Sequence, residues 1–370
     1  MARKTGFVCD ESYFWHDTGN GALFLLPGGY VQSDGHAENP ETKRRFKNLM
    51  ERSGLMKELV QVEPRSATEE EIALFHDKAY IEKVKELSDL GYGDAGELAI
   101  VGKGSYKIAL LSTGGTLTAV EHVMAGKIDN AYAITRPPGH HAEKALGMGF
   151  CLFNNVAIAA KYAREKLGVE RVLILDWDVH HGNGIESAFY DDPNVLFVTL
   201  HQERNFPPER GTLDDVGEGA GEGYNINIPL PAGTGNAGYM YALEQIVEPV
   251  VDQFKPELIL IAAGQDANAF DPLARMMVTP EGYKEMTQFM LKLADKHCDG
   301  KLVASHEGGY STAYVPFCSH AIVEELTGIT KDVGDPFIAG IHNLPTNELY
   351  DIQKEAVEKI RRVFAKYWNL

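Results

Sequence analysis

The sequence predicts an α/β protein, a parallel sheet carrying helices, and three observations lead there. Apolar runs at Val172–Leu175 and Leu258–Ala263 are unbroken by polar residues, the pattern of strands buried on both faces. Segments of helical spacing alternate with them. No Ser/Pro-rich linker, repeat or low-complexity tract interrupts that alternation, so one domain spanning residues 1–370 is expected. A hydrophobic content of 44% over 370 residues suffices for a large core.

Composition narrows the function. A net charge of -18 argues against nucleic acid as a direct partner, because that needs a basic patch. It mildly favours cationic substrates, and it serves solubility equally well. The four cysteines, Cys9, Cys151, Cys298 and Cys318, show no CxxC spacing, so neither a disulfide framework nor a thiolate zinc site is indicated. The N-terminus meets acids too early for a secretory core, and no apolar run approaches the ~20 residues of a membrane span. A cytoplasmic protein without a membrane partner is the expectation.

In chain order, Gly6–Cys9 reads as a first strand. Residues 10–40 are long, glycine-rich and irregular, with an insertion loop at about 17–40 that holds GALFLLPGGYV. Five apolar residues in that loop predict a flap near the site, a subunit contact, or packing onto the chain's own domain. Asn39 to Thr42 open a helix through Met50, and residues 68–88 carry two further amphipathic patterns. A strand from Asn130 ends in the double proline Pro137-Pro138, which cannot donate to a ladder. Gly139, His140 and His141 follow on a turn, where both rings can converge on one cavity. Gly147–Cys151 leads into a helix from about Asn155 to Leu167.

The chain is organised around Arg171–Glu186, RVLILDWDVHHGNGIE. After the apolar run, strand-like alternation puts Asp176, Asp178 and His180 on one side and Trp177 and Val179 on the other. An Asp, Asp, His comb is a metal-site arrangement. Gly182 and Gly184 then allow a tight turn into a helix at Ile185. Val195–His201 is a further strand, Tyr224–Leu230 an extended piece and Met240–Phe254 helical. The Leu258 run ends in Gly264, Gln265 and Asp266, a second acid at a strand end. Thr279, Pro280 and Glu281 open a helix to about His297. Lys301–Ser305 delivers His306, Glu307, Gly308, Gly309 and Tyr310. In a doubly wound parallel sheet these strand ends share one edge, so the groups converge.

RPPGHH, GMGFCLFNN, LDWDVHHGNG, DPLARM and HEGGYS together resemble the histone deacetylase family, specifically its bacterial class II amidohydrolases, over nearly the whole chain. The resemblance implies an arginase-like three-layer α/β/α domain with a central, mostly parallel sheet of about eight strands. It implies one catalytic Zn²⁺ on Asp178, His180 and Asp266, with a position open as catalytic zinc requires. His140 and His141 would be the tandem base and acid, oriented by Asp176 and Asn183, and Tyr310 the oxyanion donor. Phe150, Phe206 and Gly149 would line an acyl-lysine tunnel. A structural K⁺ or Na⁺ would sit at Asp176, Asp178, His180, Thr199 and Leu200, and a second at Phe189, Asp192, Val195 and Tyr224. A homo-oligomer, dimer or tetramer, is implied as well.

The expected function is zinc-dependent removal of acetyl or another short acyl group from lysine side chains. The alternatives are hydrolysis of an acetylpolyamine or small exogenous amide, and a catalytically silent acyl-lysine reader. Leu273 bears on the choice: relatives specialised for acetylpolyamines resemble this stretch but carry glutamate there, which can pair with a distal ammonium. Gln265 departs from the family's usual phenylalanine, and an amide next to the site needs a partner. The paired Asp-x-Asp of the related two-manganese arginases reads Asp266-Ala267-Asn268 here, one carboxylate short.

Overall fold

A computed structural model of the chain describes residues 2–341, 344 and 346–370. Its centre is an eight-stranded sheet, parallel throughout. In chain order the strands are β1 (Thr5–Val8), β2 (Val60–Val62), β3 (Asn130–Ala133), β4 (Val172–Asp176), β5 (Val195–Gln202), β6 (Asn225–Leu230), β7 (Leu258–Ala262) and β8 (Leu302–Ser305). Across the sheet they run β6-β5-β4-β7-β8-β3-β1-β2. This is the doubly wound parallel arrangement that the apolar runs predict.

Strand alternation divides the core. Leu173 and Leu175 of β4 join one buried cluster with Phe46, Met286 and Met290, while Val172 and Ile174 join the other with Val84, Leu117 and Val156. Helices α1 (Glu41–Ser53) and α5 (Pro280–His297) therefore cover one face, and α2 (Lys78–Leu90), α3 (Ser105–Met124) and α4 (Asn155–Leu167) the other. Each such aliphatic side chain, fully buried, contributes about 1.5–3 kcal/mol, so both faces of one strand are needed for this core. No helix among the described residues is long and apolar enough to cross a membrane.

Helix α3 went unread in the sequence. It is buried nearly all round, so it lacks an amphipathic pattern, and Gly114 and Gly115 depress its helix propensity. Packing requires the first glycine: a Cβ at Gly114 would lie 1.8 Å from the Arg65 carbonyl. The Asn183–Phe189 helix begins two residues ahead of the expected Ile185.

The register positions the site. Asp176, Ala262, Ser305 and Ala133 lie side by side at the carboxyl ends of β4, β7, β8 and β3, the four central strands. Every segment leaving this row enters the same crevice.

Candidate functional site

One expectation about the central stretch is corrected. The strand ends at Asp176, so Asp178 and His180 do not stand on a regular strand face. The Asp176 carboxylate accepts the N–H of Asp178 at 3.0 Å, and the Asp178 carboxylate accepts that of His180 at 3.0 Å. These local bonds replace ladder pairing and curl the chain. The two-sidedness survives the curl: Trp177 and Val179 are buried in the core, and the polar side chains face the crevice.

Asp178 and His180 meet Asp266, four residues beyond β7. His180 Nδ1 lies 3.1 Å from Asp178 Oδ1 and 3.2 Å from Asp266 Oδ2. The ligating atoms of the three side chains fall within 4.8 Å of one another, and all three residues are buried. Two carboxylate oxygens and one imidazole nitrogen gathered this closely fit a divalent metal of the zinc type. Close backbone approach makes the cage possible. Gly308 donates its N–H to Asp178 Oδ2 at 2.8 Å, and a Cβ there would sit 2.2 Å from Asp266 Oδ2.

The turn after β3 brings both histidines in, their ring centroids 3.9 Å apart. His140 Nδ1 meets Asp176 Oδ2 at 3.0 Å, and its Nε2 faces Asp178 Oδ1 at 3.6 Å. His141 Nδ1 meets Asn183 Oδ1 at 2.8 Å. These contacts separate the pair electrically. Burial opposes charge on His140, but the Asp178 and Asp176 carboxylates outweigh it and hold its pKa up at about 10. His141 is pushed well below the ordinary histidine range, by burial first and then by His140 and His180, with no acid to its Nδ1.

Tyr310 completes the wall. Its ring lies 5.7 Å from that of Phe150 and 6.3 Å from that of His180. Burial, then Asp266 and Asp178, raise its hydroxyl well above the usual tyrosine value, so it remains a donor. A cavity of about 440 Å³ runs from His141, His180 and Tyr310, past Gly149, Phe150 and Phe206, to Leu273 at its rim. The Phe206 ring packs edge-on to His141 at 5.0 Å. Gly149 must be glycine: φ is +52°, and a Cβ would lie 2.5 Å from the His141 ring.

Sequence reasoning missed several groups. Glu307 Oε2 accepts the N–H of Gly139 at 2.6 Å and of His140 at 3.1 Å, fixing the histidine turn. Asp271 accepts N–H groups from Leu273 and Tyr310. Leu98, Asn205, Pro272 and Arg275 also line the cavity, and so do Leu23 and Phe24 of the insertion loop, for which a flap near the site was one of the expectations. The acids were visible in HEGGY and DPL, but nothing local reveals a bond to another loop.

Gln265 is corrected too: its amide turns away from the cavity. Nε2 donates to the Tyr132 hydroxyl at 3.3 Å, and Oε1 accepts from Ser319 at 3.0 Å. His306 Nδ1 meets the same Tyr132 hydroxyl at 2.8 Å, so both belong to a buried polar network behind the sheet end. A second cluster, His140, Cys151 and Glu307, is less suited to a metal, because burial raises the Cys151 thiol well above its usual value.

The residues expected around monovalent cations fall in two groups. Thr199 pairs with Asp176 across β4 and β5, which places Thr199 and Leu200 beside the Asp176–His180 curl. In the second group the carbonyls of Phe189, Asp192 and Tyr224 accept the N–H groups of Asp192, Val195 and Phe197.

Comparison with known proteins identifies the family. The family model for the histone deacetylase domain matches residues 36–326. The chain is 45% identical over 368 residues to a histone deacetylase-like amidohydrolase of Pseudomonas aeruginosa, covering 98% of this chain and 97% of that one. It is 36% identical over 379 residues to a probable deacetylase of Archaeoglobus fulgidus, 99% of each. The crystal structure of the HDA15 HD domain superposes with a TM-score of 0.87 at 30% identity, over 99% of this chain and 96% of that one. The chain belongs to the histone deacetylase family and is a hydrolase acting on amides.

Proposed function

We propose that the protein is a Zn²⁺-dependent deacylase of lysine side chains. The observation that carries this reading is the cage of Asp178, His180 and Asp266 at the floor of a narrow cavity walled by His141 and Tyr310. Zn²⁺ held there would supply an acidified water and a polarised amide carbonyl.

The chain's own groups do the remainder. The expected tandem division of base and acid is revised, because His140 is favoured charged and His141 neutral: His141 accepts the water's proton as the water oxygen bonds to the acyl carbon. Tyr310 donates its hydroxyl hydrogen bond to the oxyanion that develops on the former carbonyl oxygen. His140, hydrogen-bonded through Nδ1 to the Asp176 carboxylate, would be favoured as the imidazolium and add positive charge beside that oxyanion. The C–N bond then breaks, the lysine nitrogen takes a proton from the imidazolium of His141, and carboxylic acid and free amine leave, which become carboxylate and ammonium when the acid's proton passes to the amine. The rings of Phe150 and Phe206 are an apolar sleeve for the four-carbon lysine stem. Three intact proton-handling side chains favour an enzyme over a silent reader.

A structural K⁺ or Na⁺ on the carbonyls near Asp176–Leu200, and another near Phe189–Tyr224, belong to the same reading. So does a homo-oligomer in a reducing cytoplasm, given buried free thiols at Cys151, Cys298 and Cys318. The test is acetate release from an acetyl-lysine peptide, with elemental analysis. One zinc per chain is expected, with activity lost on chelation or in Asp178→Ala and Asp266→Ala. Two tightly held transition metals per chain, or full activity after chelation, would overturn the reading.

A further inference from the structure

Among the thirteen residues that line the cavity, Arg275 bears the only permanent formal charge. Beyond the metal cage at its floor no acid is among the lining residues, although acids outnumber Lys and Arg by 53 to 35 in the chain. On a protein of net negative charge, the residues that line the pocket mouth thus include a guanidinium and no carboxylate.

The arginine is also uncommitted. Arg204 has Glu203 at 3.9 Å and Arg210 has Glu143 at 3.6 Å, but among the described residues Arg275 has no carboxylate within ion-pair distance. Its Nη1 donates only to the backbone carbonyls of Pro272 and Ala274. The backbone beneath it is fixed on both sides: its N–H donates to Gln202 Oε1 at 2.7 Å, and its carbonyl accepts the Gly233 N–H at 2.6 Å. A planar five-donor fork on a rigid base, at the outer end of a slot for a lysine stem, is suited to a carboxylate.

We propose that Arg275 makes the enzyme selective for acyl-lysines with a carboxylate beside them, supplied by the lysine's own free α-carboxyl group or by a neighbouring acidic residue. This rests on the acyl-lysine reading above. The carboxylate is remote from the bond that breaks, so it contributes to KM and leaves kcat unmoved. At a solvent-exposed mouth its effect is up to about fivefold in kcat/KM, and it shrinks as salt rises.

The experiment compares Nα,Nε-diacetyl-lysine with its α-amide, and acetyl-lysine peptides flanked by aspartate, asparagine or lysine, at low and high ionic strength. A preference for the free acid identifies the α-carboxylate as the source, and a preference for aspartate identifies an acidic neighbour; either supports the proposal. Arg275→Ala should bring the acid-to-amide ratio to near one, Arg275→Glu should invert it, and Arg275→Lys should keep part of it. Equal kcat/KM for acid, amide and all flanking residues in the unaltered enzyme overturns the proposal and leaves the acyl-lysine reading standing. Hydrolysis of none of them removes both.

Discussion

The carboxylate of Asp271 holds Tyr310 from behind: Oδ2 accepts the Tyr310 N–H at 2.8 Å while Oδ1 accepts the Leu273 N–H at 2.9 Å. One buried side chain thus joins Tyr310, the proposed oxyanion donor, to the cavity rim. Two glycines precede Tyr310, and Gly309 has φ +125°, so the local backbone alone constrains the ring little. Asp271→Ala should lower kcat by about tenfold to a hundredfold, the order expected for a displacement near 1 Å, with little change in KM or zinc content. Asp271→Asn retains an accepting oxygen and should lose less. A folded Asp271→Ala protein with unchanged kcat would show that Tyr310 is placed by something else.

His141 leads to a pH prediction. Its Nδ1 partner is the neutral amide of Asn183, and burial holds its pKa low, so it stays an unprotonated base well into acid. A carboxylate in that place favours the imidazolium and raises the pKa by about one unit or more. Protonation removes the base, so a raised pKa means activity is lost at higher pH. In Asn183→Asp the acid limb of kcat/KM, followed between roughly pH 5 and 8, should therefore move upward. A limb that stays where it was would take the base role from His141.

Which parts of this were legible in the sequence follows from the physics of each. Val172–Leu175 and Leu258–Ala263 were readable because burial on both faces leaves no polar residue in the run, and the metal-type acids stand directly after them. Strand β2 was not readable: three residues, Val60–Val62, on the sheet edge carry no period. That Asp178, His180 and Asp266 converge was readable because parallel strands end on one edge, whereas their choice as the ligand set came from the resemblance of the motifs. The link from Asp271 to Tyr310 spans 39 residues between two loops, and Glu307 reaches Gly139 across 168. Contacts of that kind depend on loop paths that no local pattern encodes.

The insertion loop leads to a prediction about assembly. Leu23 and Phe24 line the cavity, whereas Leu25, Leu26 and Tyr30 of the same loop face outward, at 52%, 66% and 109% exposure. An apolar group that large, next to a pocket mouth, is expected to be covered by a second copy of the chain. Light scattering should find a dimer or tetramer, and replacing Leu25 and Leu26 together by serine should yield smaller species. A monodisperse monomer for the unaltered protein would dispose of the idea.

Leu273 leads to a prediction about the choice between an acyl-lysine and an acetylpolyamine. Its backbone is pinned from two sides, the N–H by Asp271 and the carbonyl by the Asn205 side-chain amide at 3.3 Å, so its side chain keeps its place on the cavity rim. Leucine there offers apolar contact to a lysine stem and nothing to the second ammonium of a polyamine. Leaving that ammonium unpaired in a partly desolvated site costs roughly 1–3 kcal/mol, and the Arg275 cation two residues on adds repulsion. The preference for acyl-lysine should therefore be about tenfold to a hundredfold. Leu273→Glu places a carboxylate at the same fixed position and should shift the ratio towards acetylspermidine. The comparison to make is kcat/KM for both substrates on both proteins. If the unaltered enzyme prefers acetylspermidine, or if a folded Leu273→Glu protein leaves the ratio where it was, Leu273 only packs beneath the rim and selectivity lies elsewhere.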